Sequence, residues 1–508
     1  MSVSQIIMLI TMVIYLIGMV GIGFKLSEQN ETVGDFYLGG RKLGPFVTAM
    51  SAEASDMSSY LLMGLPGLAY LSGAAHVGWT AIGLAAGTYL NWLIVAKRLR
   101  RYTEKTKSIT LPEFFSNRYG DKKNVLAAIA ALWIIIFFVP YTASGFAACG
   151  KLFNSLFGVD YHTVMIVSAI VIIFYTMLGG FLAASITDFI QSIIMTIALA
   201  IILIFAFVMA GGVDAVVENA KSLPGYLSMT LTYDAETNTA GSFSALSIVS
   251  TLAWGLGYFG MPHILLRFMA IEDDSKLKLS RRVASVWVVI AMFVAVIIGM
   301  AGLGMTAAGE IPFLEGSSSE TIIVKTANLL SSYGILAAII AGVVLSGILA
   351  STMSTADSQL LAASSSLSND IIVNFLHIKI SEKNKLLISR ASLLIIAVIG
   401  IFLAWDPNSS VFGIVSFAWA GFGATFGPVV LIALFWKRSN RVGAFAGMLA
   451  GGLMIFIWKF IVRPMGGLWD IYELLPAFVI ALLVNIIVSL LTKAPEEEVV
   501  KTFETYNQ

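Results

Sequence analysis

Between Ser51 and Ser59 the chain reads Ser-Ala-Glu-Ala-Ser-Asp-Met-Ser-Ser, two carboxylates and four hydroxyls inside a run otherwise apolar enough to cross a bilayer. In hydrocarbon every polar group needs an internal partner, so such a segment survives only where it lines protein or a water-filled cavity. Its flanks, 44–50 and 61–71, read as two half-helices around an interruption. Interrupted helices near the midplane present freed carbonyls and half-helix ends to ions and solutes. A second polar run, Ser351-Thr-Met-Ser-Thr-Ala-Asp-Ser358, places Ser351, Ser354, Thr355 and Ser358 at i, i+3, i+4 and i+7, one stripe of a helix. Neutral oxygens of this kind suit a monovalent cation such as sodium, stripped of water but not held too tightly to leave. The alternative is that the hydroxyls bond back to their own helix or mediate packing.

These residues need a membrane scaffold to position them. The 508 residues are 58% hydrophobic and 12% charged, with a mean hydropathy of +0.88, beyond the apolar share of soluble domains. Stretches long enough for roughly 30 Å of hydrocarbon fall at 4–24, 44–71, 77–96, 125–149, 161–182, 189–211, 244–265, 283–306, 334–360, 388–404, 411–436, 442–462 and 472–492, thirteen in all. The first is expected to be a retained helix, since no cleavage-like tripeptide follows it. Twenty-six of the 31 Lys and Arg residues fall on one side of this arrangement. That bias puts the N-terminus outside and the C-terminus in the cytoplasm, as for a multi-pass plasma-membrane protein.

The basic loop at 97–123 is explained by this topology, so no nucleic-acid partner is expected; nor is an obligate protein partner, only the lipid bilayer. Cys149 is the single cysteine, which rules out an intramolecular disulfide and a multi-cysteine metal site. The outer loop 212–243 is read as carrying short helices, and the tail 493–508 as a solvated end. The four histidines, His76, His162, His263 and His377, sit near span ends with no ligand-like pairing, which argues against a membrane-embedded enzyme. A channel would show a repeated pore loop.

The seventh span carries Trp254-Gly-Leu-Gly-Tyr-Phe-Gly-Met-Pro262 and also looks interrupted, with a Gly-rich packing face as the alternative. Spans 2–6 (44–211) and 7–11 (244–436) then form two five-helix repeats, the second inverted, with the first helix (1–43) before them and spans 12–13 (437–492) after. The fold expected is an all-α polytopic membrane protein with a five-plus-five inverted-repeat, leucine-transporter-like core.

The run Leu38 to Ser51, followed by Ala54-Ser-Asp-Met-Ser58 and Leu61-Leu-Met-Gly-Leu-Pro-Gly67, resembles the sodium/solute symporter family, and within it the bacterial sodium/proline symporters. Pro140 to Gly145, Thr187-Asp188, Trp254 to Gly260, Pro262-His263, Arg267 to Ala270 and Met353 to Thr355 extend the likeness over residues 4–492. The resemblance implies sodium-coupled uptake of L-proline, with sodium as coupling ion and no cofactor. It implies a sodium held by backbone oxygens of Ala54 and Met57, the backbone at Ser351, and the hydroxyls of Ser354 and Thr355. It assigns Asp56, Ser58 and Asp188 to ion coupling, and Ser58, Tyr141, Trp254, Tyr258 and Pro262 to proline. Asp188 is open to a second reading as a helix cap. Arg41, just before the second span, is a candidate inner gate or a topology charge. Glu53, Ser59, Tyr60 and Ser351 depart from the family pattern at the site itself, so a sibling symporter for another small organic solute is the alternative.

Overall fold

The computed structural model describes residues 1–28 and 32–506. Apart from one small hairpin it is built of helices, and ten of them, among the described residues, are long and apolar enough to cross a membrane. Their outward faces are apolar, with Ile14, Ile17, Phe174, Ile204, Phe293 and Phe402 all exposed, as a lipid-facing surface requires. The first helix, Val3–Ser27, is started by a capping box in which Ser2 and Gln5 satisfy each other's backbone N–H groups.

Three expected spans do not appear as separate continuous helices, and each has a local cause. Residues 44–71 comprise the helix Pro45–Ser59, a π turn Tyr60–Gly64 and the helix Leu65–Ser72. The ladder fails at Ser58, whose φ of 49° and ψ of −168° lie outside the helical region. The segment around 244–265 runs as the helix Ala245–Leu252, a 3-10 stretch Ala253–Gly260, extended Met261, and the helix Pro262–Ala270. Pro262 stands at the first position of that last helix, where its missing N–H costs nothing. Spans 161–182 and 189–211 are joined in one helical run, Tyr161–Met209, whose 49 residues would extend about 73 Å if straight. Gly180, at φ 65° and ψ −170°, divides it into two.

Outside the core the structure adds one element and corrects one expectation. The loop 212–243 carries the expected short helix, Val213–Ser222, and, beyond that expectation, an antiparallel hairpin pairing Leu231–Asp234 with Thr239–Ser242. The C-terminal segment is docked rather than a free solvated end: its helix Glu497–Tyr506 buries Phe503, whose ring lies under the Arg118 guanidinium, and Glu504 pairs with Lys437.

Glycines let the interrupted helices approach their neighbours. A Cβ on Gly255 would land on the backbone of Gly83 and Gly87 in the helix Ala74–Leu90, and one on Gly257 would enter the Trp419 indole. Gly255→Ala is therefore expected to destabilise the protein by about 1–3 kcal/mol through overpacking. An unchanged thermal unfolding midpoint in detergent would show that this crossing yields.

Candidate functional site

The break at Ser58 organises a polar centre between the helix Pro45–Ser59 and its neighbours. Tyr60 N–H reaches back to the carbonyls of Met57 and Ser58, and the Ser58 hydroxyl accepts Tyr60 N–H at 3.1 Å. The Tyr141 hydroxyl, on the helix Val125–Phe157, donates to the Asp56 carbonyl at 3.3 Å. Across the interface, Ser354 on the helix Ile335–Ser365 donates to the Ala54 carbonyl at 2.8 Å. Two of the predicted sodium donors are thus in direct contact, and Ala54, Met57, Ser351, Ser354 and Thr355 are all buried. The remaining stripe hydroxyls back-bond: Ser351 to Ile348, Thr355 to Ser351 and Ser358 to Ser354. A hydroxyl that donates to its own helix keeps its lone pairs for a cation.

Asp56 braces the break. Its Oδ2 accepts the Tyr258 hydroxyl at 2.5 Å, so the first interrupted helix is tied to the second at the residue beside each interruption. The Tyr258 carbonyl, freed by the 3-10 stretch, is taken by the Asn91 amide at 2.9 Å, and that of Trp254 by the Trp419 indole N–H at 2.8 Å. Trp254 also stacks between Tyr60, at 5.8 Å, and Tyr472, at 5.0 Å. Tyr60 therefore joins the aromatic group around the interruption. Beyond this stack a cavity of ≈ 170 Å³ is lined by His76, Ser250, Phe412, Arg463 and Asp470 among others. Pro262 begins the second half-helix, whose N-terminal end carries the partial positive charge of its free N–H groups.

Asp188 lies inside the run Tyr161–Met209, and its side chain caps no helix. It is paired with Arg267 at 3.0 Å and accepts the Ser51 hydroxyl at 2.7 Å, with both charged side chains almost completely buried. Arg267 also donates to Ser51, to the His263 carbonyl and to Ser358, and lies over the Phe181 ring. Asp357 accepts hydrogen bonds from Tyr175 and Ser358. One buried network thereby joins four elements. The sequence reading assigned no role to Arg267, Asp357 or Tyr175. It placed His263 near a span end, whereas His263 is buried in the second half-helix beside Arg267.

The two ends of the bundle carry opposite devices. Arg41, half-buried and at φ 57°, donates to the carbonyls of Met269, Thr103 and Ser108 at 2.5, 2.9 and 2.7 Å. Burial, and then nearby Arg100, lower its pKa to about 10, so it stays cationic at neutral pH. Leu43 and Ile271 pair their backbones beside it. At the other end Lys151 pairs with Glu320 at 2.9 Å. Glu320 also accepts the backbone N–H groups of Val411 and Phe412, capping the helix Val411–Phe435.

A helical membrane protein in which two interrupted helices meet at a buried polar centre is a secondary transporter by architecture. The chain belongs to the sodium:solute symporter family, whose profile matches residues 36–451; it is a transporter and not an enzyme. It is 43% identical over 503 residues to the sodium/proline symporter of Haemophilus influenzae, covering 98% of this chain and 97% of that one. It is 42% identical over 493 residues to the high-affinity proline transporter of Bacillus subtilis, covering 96% and 98%. Among solved structures, a substrate-bound, outward-open Na+-coupled sialic acid symporter shares the fold with a TM-score of 0.79 at 17% identity, over 97% of this chain and 99% of that one. The nucleobase-cation-symport-1 family transporter Mhp1 in a closed conformation gives 0.52 at 13% identity, over 93% and 98%.

Removing one partner of the Asp188–Arg267 pair leaves the other charge buried. Asp188→Ala is expected to cost about 3–5 kcal/mol in stability, and Asp188→Leu with Arg267→Met to recover much of it. Equal losses for the single and double variants in thermal unfolding would contradict a paired network.

Proposed function

We propose that the protein takes up L-proline with sodium across the plasma membrane by alternating access. The observation that carries this reading is the Ser354 hydroxyl on the Ala54 carbonyl, four residues before the break at Ser58. Sodium enters that contact, held by the backbone oxygens of Ala54 and Met57, the backbone at Ser351, and the hydroxyls of Ser354 and Thr355. Asp56, Ser58 and Asp188 couple the ion to the solute. Proline lies among Ser58, Tyr141, Trp254, Tyr258 and Pro262: aromatic faces receive its ring and secondary ammonium, and the positive end of the half-helix at Pro262 takes its carboxylate. The relatives' names support proline as the solute. Glu53 and Tyr60 keep a different small organic solute as the alternative.

In this reading the chain makes thirteen crossings. To the ten long helices are added the interrupted spans 44–71 and 244–265, and the division at Gly180 makes two crossings of one of the ten. Residues 44–211 and 244–436 act as inverted five-helix repeats around the site, 1–43 and 437–492 lie outside them, and the N-terminus faces outward. Arg41 then clasps the cytoplasmic side shut, and the Lys151–Glu320 pair belongs to the outer side. Sodium bound at the break fixes the shape that completes the proline pocket, so each ligand raises the other's affinity by the same factor. One sodium moving inward at about 100 mV supplies roughly 2.3 kcal/mol, which concentrates solute about fifty-fold before any sodium gradient is added.

In proteoliposomes, an inward sodium gradient is expected to drive accumulation of radiolabelled L-proline that only proline and close analogues inhibit. Ser354→Ala or Thr355→Val should raise the sodium concentration for half-maximal uptake about tenfold, as loss of one ligand oxygen worth about 1.4 kcal/mol would. Unaltered sodium dependence in both variants would remove the ion site from this contact; transport of another solute but not proline would move the specificity and leave the fold.

A further inference from the structure

Glu53 is unused by the sodium contact, yet it is buried in the same helix and only 1% exposed. Its Oε1 accepts the Thr88 hydroxyl at 3.2 Å and the Trp92 indole N–H at 3.1 Å, both from the run that follows Ala74. Its Oε2 has no partner. One turn further on, Asp56, 4% exposed, has Oδ2 on the Tyr258 hydroxyl and Oδ1 without a partner. Two buried carboxylates three residues apart on one helix thus take hydrogen bonds only from Thr88, Trp92 and Tyr258, each carboxylate with one buried oxygen open. Among the described residues no cationic side chain pairs with either. Arg267, which reaches this helix at Ser51 from the helix Pro262–Ala270, is committed to Asp188 and Ser51. Two carboxylates in a membrane interior with only neutral donors lack the counter-charge that burial demands.

We propose that Glu53 and Asp56 form a second monovalent-cation site, with Glu53 Oε2 and Asp56 Oδ1 as its charged ligands and the Thr88 and Tyr258 hydroxyls beside them. It lies on the side of the helix facing Thr88 and Trp92, whereas the Ala54 carbonyl meets Ser354 on a different helix. A sodium ion there supplies a positive charge that these two buried carboxylates otherwise lack. An ion on these carboxylates then lies beside the existing Tyr258–Asp56 bond and reinforces the tie between the two interrupted helices. A divalent ion fits less well, since two carboxylates and neutral hydroxyls would have to replace its stronger hydration and then release it in each cycle. This rests on the sodium-coupled reading above.

The test is equilibrium binding of ²²Na+ to the purified full chain in nanodiscs without solute, so that it reads the ion sites whether or not proline is the solute. The wild type is expected to bind two sodium ions per chain, Glu53→Gln one, and Ser354→Ala one with the Glu53 site retained. In proteoliposomes the sodium dependence of uptake should then fall from a Hill coefficient near two to near one in Glu53→Gln. One sodium per wild-type chain, which needs no variant to fold, would overturn the proposal, as would Glu53→Gln still binding two. Absence of proline uptake with two bound ions would reject the solute and keep the site.

Discussion

A membrane-buried helix that stops hydrogen-bonding to itself must find other partners for every group it frees, and Ser58 is where this chain accepts that constraint. A non-glycine residue at φ 49° costs on the order of 1–3 kcal/mol and persists only where its surroundings hold it. Here they do so with specific side chains: Tyr141 on the Asp56 carbonyl, Ser354 on that of Ala54, and the Tyr258 hydroxyl on the Asp56 carboxylate. Each belongs to a different element, so the interruption converts one strained residue into the hub of the core.

Two kinds of contact hold the second interrupted helix around this hub. The second interrupted helix is fixed at its centre by Asn91, Trp419 and Asp56 and at one end by the Arg41 clasp on Met269. The Arg41 contacts are charge-assisted bonds to backbone carbonyls, which open without leaving a buried carboxylate unpaired. Arg267 is different in kind: buried and shared among Asp188, Ser51 and Ser358, it binds the second half-helix to three elements in an arrangement that is costly to break. A clasp made only to carbonyls at the rim and a network costly to break near the centre are what the proposed rocking mechanism needs.

Much of this was legible in the sequence because polarity inside an apolar run is a strong signal. Ser51 to Ser59, Trp254 to Pro262 and Ser351 to Ser358 stood out before any coordinates, and the structure interrupts the first two and brings Ser354 to Ala54. What could not be read was pairing across long separations. Nothing local links Arg267 to Asp188, 79 residues earlier, or Asp357 to Tyr175, 182 residues earlier. The division between spans 161–182 and 189–211 was legible in the sequence, though not its seat at Gly180, and the hairpin at 231–242 was not, because each of its strands is only four residues long. On the helix Ile335–Ser365 the hydroxyls of Ser351, Thr355 and Ser358 donate to their own backbone, the alternative the sequence left open, while Ser354 reaches the Ala54 carbonyl.

The central claim is that ion and solute meet through one interrupted helix, and reciprocal binding tests it most directly. Equilibrium binding of labelled L-proline would be measured with and without saturating sodium, and labelled sodium binding with and without saturating proline, on the same purified protein. Equal factors of increase in the two directions, both reduced when Tyr258→Phe cuts the tie to Asp56, are what the structure predicts. Proline affinity indifferent to sodium would contradict it.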